Sequence, residues 1–316
     1  TSIGYGNGYE VSYMNSGKMT NKGWEFRVDA VPFENRDWRV GFYFNIAHNE
    51  NKITEMPDNY TEENYTFNNG EYAYRREEGR PMGSFYGYRY KGVCQNKDAT
   101  YARDADGNVM KDISGNAIVM RNGTATIAPG DALYEDINHD GVINQYDIVY
   151  LGNSNPRFTG GAGVNVSYKQ FKLSAIFYGR YGQDVVNSTR LNNESMRGID
   201  NQSTAVLRRW RNEGDQTDIP RALYGEGYNT LGSDRFVEDA SYLRLKSLSF
   251  NYRLPKKIIQ RWGFSNIDVY VTGYNLFTWT KYTGQDPEVK TENTYARDSA
   301  TTPASIQLVA GFNLSF

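Results

Sequence analysis

The chain reads as an all-β protein, an antiparallel transmembrane β-barrel wall whose strands alternate an apolar and a polar face. Three observations predict this. Aromatics make up 15% of the 316 residues, with 26 Tyr and 15 Phe, while apolar residues reach only 39%. That balance suits strands of which only the lipid-facing half must be apolar. Segments of strict period-two hydrophobicity recur along the chain, as half-buried strands require. The connections between them alternate between very short and very long, as barrels with short periplasmic turns and long extracellular loops do.

Trp24, Phe26, Val28 and Ala30 alternate with Glu25, Arg27 and Asp29. This predicts a strand over 22–32, and the next alternation a strand over 38–48 after a tight turn near Asn35 and Asp37. Charged residues at every second position would be costly in a closed sandwich core but cost little in a watery lumen. A second hairpin is predicted over 158–168 and 171–181, turning at Lys169-Gln170, and a third over 236–254 and 266–280. Leu243 and Leu245 lie on the opposite parity from Leu248 and Phe250, which predicts a bulge between them or a segment rising beyond the membrane. The last strand, 304–316, carries Ile306, Leu308, Ala310, Phe312, Leu314 and Phe316 on one face. An amphipathic strand ending on Phe resembles the C-terminal signal of bacterial outer-membrane barrels. An earlier strand over 5–13 brings the expected total to about eight strands. They either close a small barrel or form an arc of a larger one. Inner faces rich in Gly, Ser and Asn, with few bulky side chains, favour the arc. The stretches 49–157, 182–235 and 281–303 are then extracellular loops.

Composition also excludes classes. The 35 Lys and Arg balance 37 Asp and Glu, so no basic field points to nucleic acid. No run approaches the ~18 apolar residues of a membrane helix. Cys94 is the single cysteine, so no internal disulfide forms. His48 and His139 stand alone, and nothing beside them makes a catalytic triad, so no enzyme is expected. Gly160-Gly161-Ala162-Gly163 lacks the Lys-Ser/Thr of a phosphate loop and reads as small residues in a wall.

One motif carries metal chemistry. Asp136, Asn138 and Asp140 place oxygens at loop positions 1, 3 and 5, with the Val142 carbonyl at 7, Gly141 at the sharp turn and Asp147 at 12. The spacing resembles the Ca²⁺ loops of dockerins and EF-hands, with Asp in place of the usual Glu at the last position. An Asx-rich loop of this kind also folds through its own side-chain-to-backbone hydrogen bonds with no ion. If calcium binds, its expected role is to stiffen the 49–157 loop. Asp104-Ala105-Asp106-Gly107-Asn108 is expected to be a turn. A short helix is expected within 202–213, its Val206, Leu207 and Trp210 packing on a barrel rim or lid. Tyr86, Tyr88 and Tyr90 alternate as in a loop hairpin, where packing is a commoner role than substrate contact.

Several ordered stretches resemble the SusC-like TonB-dependent outer-membrane transporters of Bacteroidetes. They are Gly17-Lys18-Met19-Thr20-Asn21-Lys22-Gly23-Trp24-Glu25, the run from Gly79 through Tyr88 (Gly-Arg-Pro-Met-Gly-Ser-Phe-Tyr-Gly-Tyr), Asp136 through Ile143, and Leu151 through Phe158. Arg209-Trp210-Arg211-Asn212 with Ile219-Pro220-Arg221 follows, then Arg235 through Lys246, Asn275 through Gly284, and Asp286-Pro287-Glu288. The resemblance implies a 22-stranded barrel of which 1–316 is the C-terminal part. The family's signal peptide, plug and TonB-contact segment lie before the matched region. It further implies import of a glycan or peptide oligomer, powered through TonB, with a SusD-like lipoprotein as lid. A scaffold barrel within a larger outer-membrane assembly is the alternative. A soluble β-rich binding module ranks third, and the alternation of the strands argues against it.

Overall fold

The computed structural model describes residues 17–56, 70–73, 75–289, 291–292 and 295–316. Seven long strands form one antiparallel sheet in which each strand pairs with its neighbours in sequence. They are β1 (Lys18–Glu34), β2 (Trp38–Glu55), β3 (Phe158–Tyr168), β4 (Phe171–Tyr181), β5 (Tyr242–Arg253), β6 (Asn266–Thr280) and β7 (Gln307–Ser315). The expected strand over 5–13 lies outside the described residues. β1 and β7 are the two edges of the sheet, so the described residues form an open arc.

The sheet has two chemically distinct faces, and the register shows it. Ala30, Phe42, Val164, Ala175, Leu248 and Gly273 are successive partners across six strands. Phe26, Phe42, Val164 and Phe312 are 52%, 39%, 42% and 68% exposed, so this apolar face is not folded into a closed interior. The opposite face carries Arg27, Tyr43, Asn165, Ser174, Ser249 and Thr272.

Aromatic rings collect at two heights on the apolar face. Phe158 and its partners His48 and Tyr181 cluster with Trp24 at one end, with Trp279 and Phe177 further along. Ten positions along β3, Tyr168 packs on Trp38 at 4.3 Å, and Phe171 stacks on Tyr252 at 4.6 Å. Ten strand residues rise about 33 Å. Inclined as barrel strands are, they span a band about 25 Å tall.

The parity break in β5 is a bulge. Register shifts fall between Ile176 and Phe177 against β4, and between Leu245 and Ser247 against β6. The extra residue, Lys246, returns Leu243 and Leu245 to the face of Leu248 and Phe250. β6 accommodates the same irregularity with Asn275 at φ 53°. Asn tolerates this left-handed backbone better than most residues do.

Connections are short at one end of the sheet and long at the other. Asn35 caps the first turn, its Oδ1 accepting the N–H groups of Asp37 and Trp38 at 2.9 and 2.8 Å. The β5–β6 connection contains a helical turn, α1 (Lys256–Ile259), that buries Ile259. Strand boundaries differ from those expected from periodicity. β2 runs on to Glu55, so 49–55 belongs to a strand, with Ile53 held by backbone bonds to Gly79 and Arg80. β5 begins at Tyr242 rather than 236. Val237–Asp239 instead pairs with Asp184–Asn187, which also pairs in parallel with Tyr295–Asp298. Non-local pairing of this sort leaves no periodic trace in the sequence.

The inner face holds more bulk than its glycines suggest. Tyr43 lies across its partner Gly163, and Tyr270 across its partner Gly311. The tyrosines lie along the wall and fill space their neighbours lack, a use of aromatic side chains against strand glycines.

Candidate functional site

Among the described residues the largest buried core lies outside the sheet, in the segment between β2 and β3, with Leu231 added from the connection between β4 and β5. Tyr86, Tyr88, Cys94, Ala102, Ile127, Tyr134, Ile143 and Leu231 belong to it. Tyr86 and Tyr88 are therefore packing residues. The Tyr86 hydroxyl donates to Glu77 at 2.9 Å and its ring lies under the Arg75 guanidinium. Burial pushes the phenols of both upward from their ordinary value. The Cys94 thiol is fully buried, and desolvation pushes it up to about 12, so it stays protonated and unreactive.

The separate stretches singled out in the sequence meet each other at the long-connection end. Asp131 is fully buried and receives both Nε and Nη2 of Arg221, at 2.7 and 3.1 Å. The Ala128 N–H and the Asn229 amide complete its shell at 2.8 and 3.1 Å. Beside it, Gly130 at φ 90° lies against the Trp210 indole, where an added Cβ would come within 2.3 Å of the ring. The Arg-Trp and Ile-Pro-Arg stretches thus clamp the Pro-Gly-Asp corner of the other loop. The helix expected in 202–213 is a 3-10 turn over Thr204–Arg208. Its Val206 is buried with Met196 and Ile219, whereas Leu207 is 65% exposed. Trp210 packs on Gly130 rather than on a barrel rim.

A second convergence is ionic. Glu194, nearly buried, accepts from Arg190 at 3.0 Å and Arg235 at 2.7 Å. Arg190 also donates to Glu238 at 3.1 Å, and Glu238 accepts the Thr283 N–H at 2.9 Å. These bonds join the second long connection to the third.

A third lies on the inner wall. Arg244, 2% exposed, donates to Asp286, to Glu288 at 2.9 Å and to Thr278 at 2.8 Å. Lys246 donates to Glu288 at 2.8 Å. For the Asp286 carboxyl, burial acts upward but is outweighed. The N–H groups of Ala304 and Glu288 and the Arg244 guanidinium hold it below its ordinary value. The Asp-Pro-Glu stretch therefore anchors the last long connection to the wall.

The Asp-rich loop folds largely on itself. Asp136 accepts from Gly141 N at 2.8 Å, Asn138 Oδ1 from Asp140 N at 3.2 Å, and Asp140 from Val142 N at 2.8 Å. Asn144 caps the 3-10 turn Gln145–Asp147, and the fully buried Asp147 bonds back, accepting from Asn144 N and Ile137 N, both at 2.8 Å. Desolvation raises its pKa, and the nearby Asp136 and Asp140 charges add to the rise while the two N–H groups oppose it. As placed, these side chains turn onto the loop backbone. Among the described residues, no three His, Cys, Asp or Glu groups converge on a common centre. Asp104 forms a turn, as expected, and Asp112 repeats it. Their Oδ1 atoms accept from Asn108 N and Asn116 N, both at 2.8 Å. The second turn escaped notice in the sequence, although Asp112-x-x-Gly-Asn repeats the spacing of Asp104-x-x-Gly-Asn.

No family model matches the chain. Curated relatives do. It is 32% identical over 296 residues to TonB-dependent receptor P3 of Formosa agariphila, covering 90% of this chain and 27% of that one. It is 25% identical over 312 residues to the TonB-dependent receptor SusC of Bacteroides thetaiotaomicron, covering 96% and 27%. Among solved structures, the RagAB peptide transporter superposes with a TM-score of 0.69 at 26% identity, over 100% of this chain and 31% of that chain. The chain thus spans roughly three-tenths of the length of the proteins it matches. Over that span its relatives are TonB-dependent receptors, SusC among them.

Proposed function

We propose that residues 1–316 form the C-terminal arc of a large, 22-stranded outer-membrane barrel that imports a nutrient oligomer, a glycan or a peptide, with energy delivered through TonB. The observation that carries this is the continuous apolar face with its two aromatic belts about 25 Å apart, the height of a barrel's lipid-facing band. On this reading the polar face lines the lumen. The short connections are periplasmic, and the long connections that follow β2, β4 and β6 form the extracellular surface, where a SusD-like lipoprotein lid would dock. The receptors and the peptide transporter that the chain resembles support import over a scaffold role. The chain does no covalent chemistry in this scheme.

The test uses the full-length receptor in its host. Deletion should abolish uptake of the labelled oligomer, and a protonophore should stop uptake by the wild type while leaving surface binding intact. Uptake that survives deletion, with the outer membrane otherwise altered, would favour the scaffold reading.

For the Asp136–Asp147 loop, calcium is proposed as a separate point. The ligands would be Asp136, Asn138, Asp140, the Val142 carbonyl and Asp147. The support is their spacing, with oxygens at positions 1, 3, 5, 7 and 12 of one loop.

A further inference from the structure

On the inner wall, β4 and β5 place two cations and two tyrosines as a block of cross-strand partners. Arg180 faces Tyr242, and Tyr178 faces Arg244. The Arg180 guanidinium stands 6.0 Å from the Tyr178 ring, Arg244 stands 5.3 Å from the Tyr242 ring, and the two rings lie 6.3 Å apart. The two arginines are treated differently. Asp286 and Glu288 neutralise Arg244, and Glu288 also takes Lys246. Arg180 forms no ion pair among the described residues, and its hydrogen bond there is from Nε to the Tyr178 hydroxyl at 3.3 Å.

A guanidinium carries five N–H donors, and leaving a half-buried one without an anion is costly. Beside Arg180, β3 presents only Thr159 and Gly161 on this face, so neither charge nor bulk covers it from that side. Tyr242, 5% exposed, keeps a buried hydroxyl with no hydrogen-bond partner. An acceptor with two oxygens is the group this arrangement lacks, and planar Arg binds such a group through paired bonds.

We infer that Arg180, flanked by Tyr178 and Tyr242, is a carboxylate-recognition point on the lumen wall, and that the transported oligomer bears carboxylates. The inference rests on the import reading. The carboxylate comes either from a peptide or from a uronic acid, and both present the same planar pair of oxygens.

The experiment uses the full-length receptor, purified with its lipoprotein, and calorimetric titration with matched pairs of probes. These are penta-glutamate against penta-glutamine, both N-acetylated and C-amidated, and tri-galacturonate against tri-galactose. In at least one pair the acidic member should bind about tenfold tighter or more, which is what one charged hydrogen-bonded pair supplies. Which pair responds identifies the source. Arg180→Gln should erase that preference while leaving the neutral member's affinity unchanged, and Arg180→Lys should restore part of it. An unchanged preference in Arg180→Gln overturns the inference. So does an equal loss for both members with a lowered melting temperature, which would mean that Arg180 pairs with an acid elsewhere in the receptor. Failure of both acidic probes to bind overturns it too. The import reading survives all three outcomes if a neutral oligomer is still taken up in a protonophore-sensitive way.

Discussion

Tyr43 lies flat across Gly163, its direct partner on the neighbouring strand, so closely that a Cβ on the glycine would come within 2.1 Å of the ring. The pair shows one use for Tyr beside Gly in a chain rich in both. The wall gains rigid aromatic cover where a strand has no side chain of its own. Tyr270 and Gly311 repeat the arrangement near the other edge, with the Tyr270 hydroxyl 2.5 Å from where a Cβ would sit.

Gly163→Ala should therefore destabilise the receptor by about 1–3 kcal/mol, the usual cost of overpacking. Heat-modifiability on a gel and the melting temperature in detergent read it out. Tyr43→Ala in the same background should recover part of the loss. Equal melting temperatures for Gly163→Ala and wild type would show that the ring moves aside freely.

The two faces predict opposite tolerance. Phe42→Arg, at mid-height on the apolar face, should cost about 2–4 kcal/mol and reduce assembled receptor in the outer membrane. Asn165→Arg, on the other face, should assemble normally. The contrast fails if both variants behave alike.

Arg221→Gln leaves the Asp131 carboxylate buried without its bidentate partner, a loss of about 3 kcal/mol. The damage should stay in the connections that the pair joins. Limited proteolysis should cut within 75–157 or 182–235 far faster than in wild type, while the barrel still migrates as folded. Asp131→Asn with Arg221→Gln should be milder than Arg221→Gln alone, because the buried charge goes with its partner.

The Asp147 carboxyl titrates above its ordinary value in the folded chain. Between the ordinary and the raised value, the native state holds a proton that the unfolded chain has released. Stability from this group thus declines as pH rises through that window, and is greatest below it. Protease resistance of the loop should be higher at pH 4 than at pH 7 in the presence of a chelator. Added calcium should restore resistance at pH 7, and Asp147→Asn should abolish both responses. Resistance that ignores calcium at every pH would assign the loop to hydrogen bonding alone.

How much was legible in the residues follows from what period-two patterning encodes. Trp24 to Ala30, Phe158 to Val166 and Ile267 to Val271 announce their strands and their faces, because alternation is local and one face must be apolar. The parity break before Leu248 announced a bulge, though not that Lys246 is the extra residue or that Asn275 answers it in β6. Pairings such as Asp184–Asn187 with Tyr295–Asp298 were illegible, since strands so short and so far apart carry no period. The Asp136–Asp147 spacing was legible as a turn of defined chemistry, and the side chains are found turned onto its backbone.

By itself the sequence determined the sheet: which segments are strands, where they turn tightly, and which side of each meets an apolar surround. These follow from covalent alternation along a strand and from the cost of exposing the wrong side. Only the tertiary structure decided how the long connections pack and which charges are matched. Arg221 on Asp131, Trp210 on Gly130 and Arg244 on Asp286 and Glu288 join segments far apart in the chain. Arg180 lies beside the last of these and has no ion-pair partner among the described residues. Charge pairing depends on distance in space, which residue order does not record.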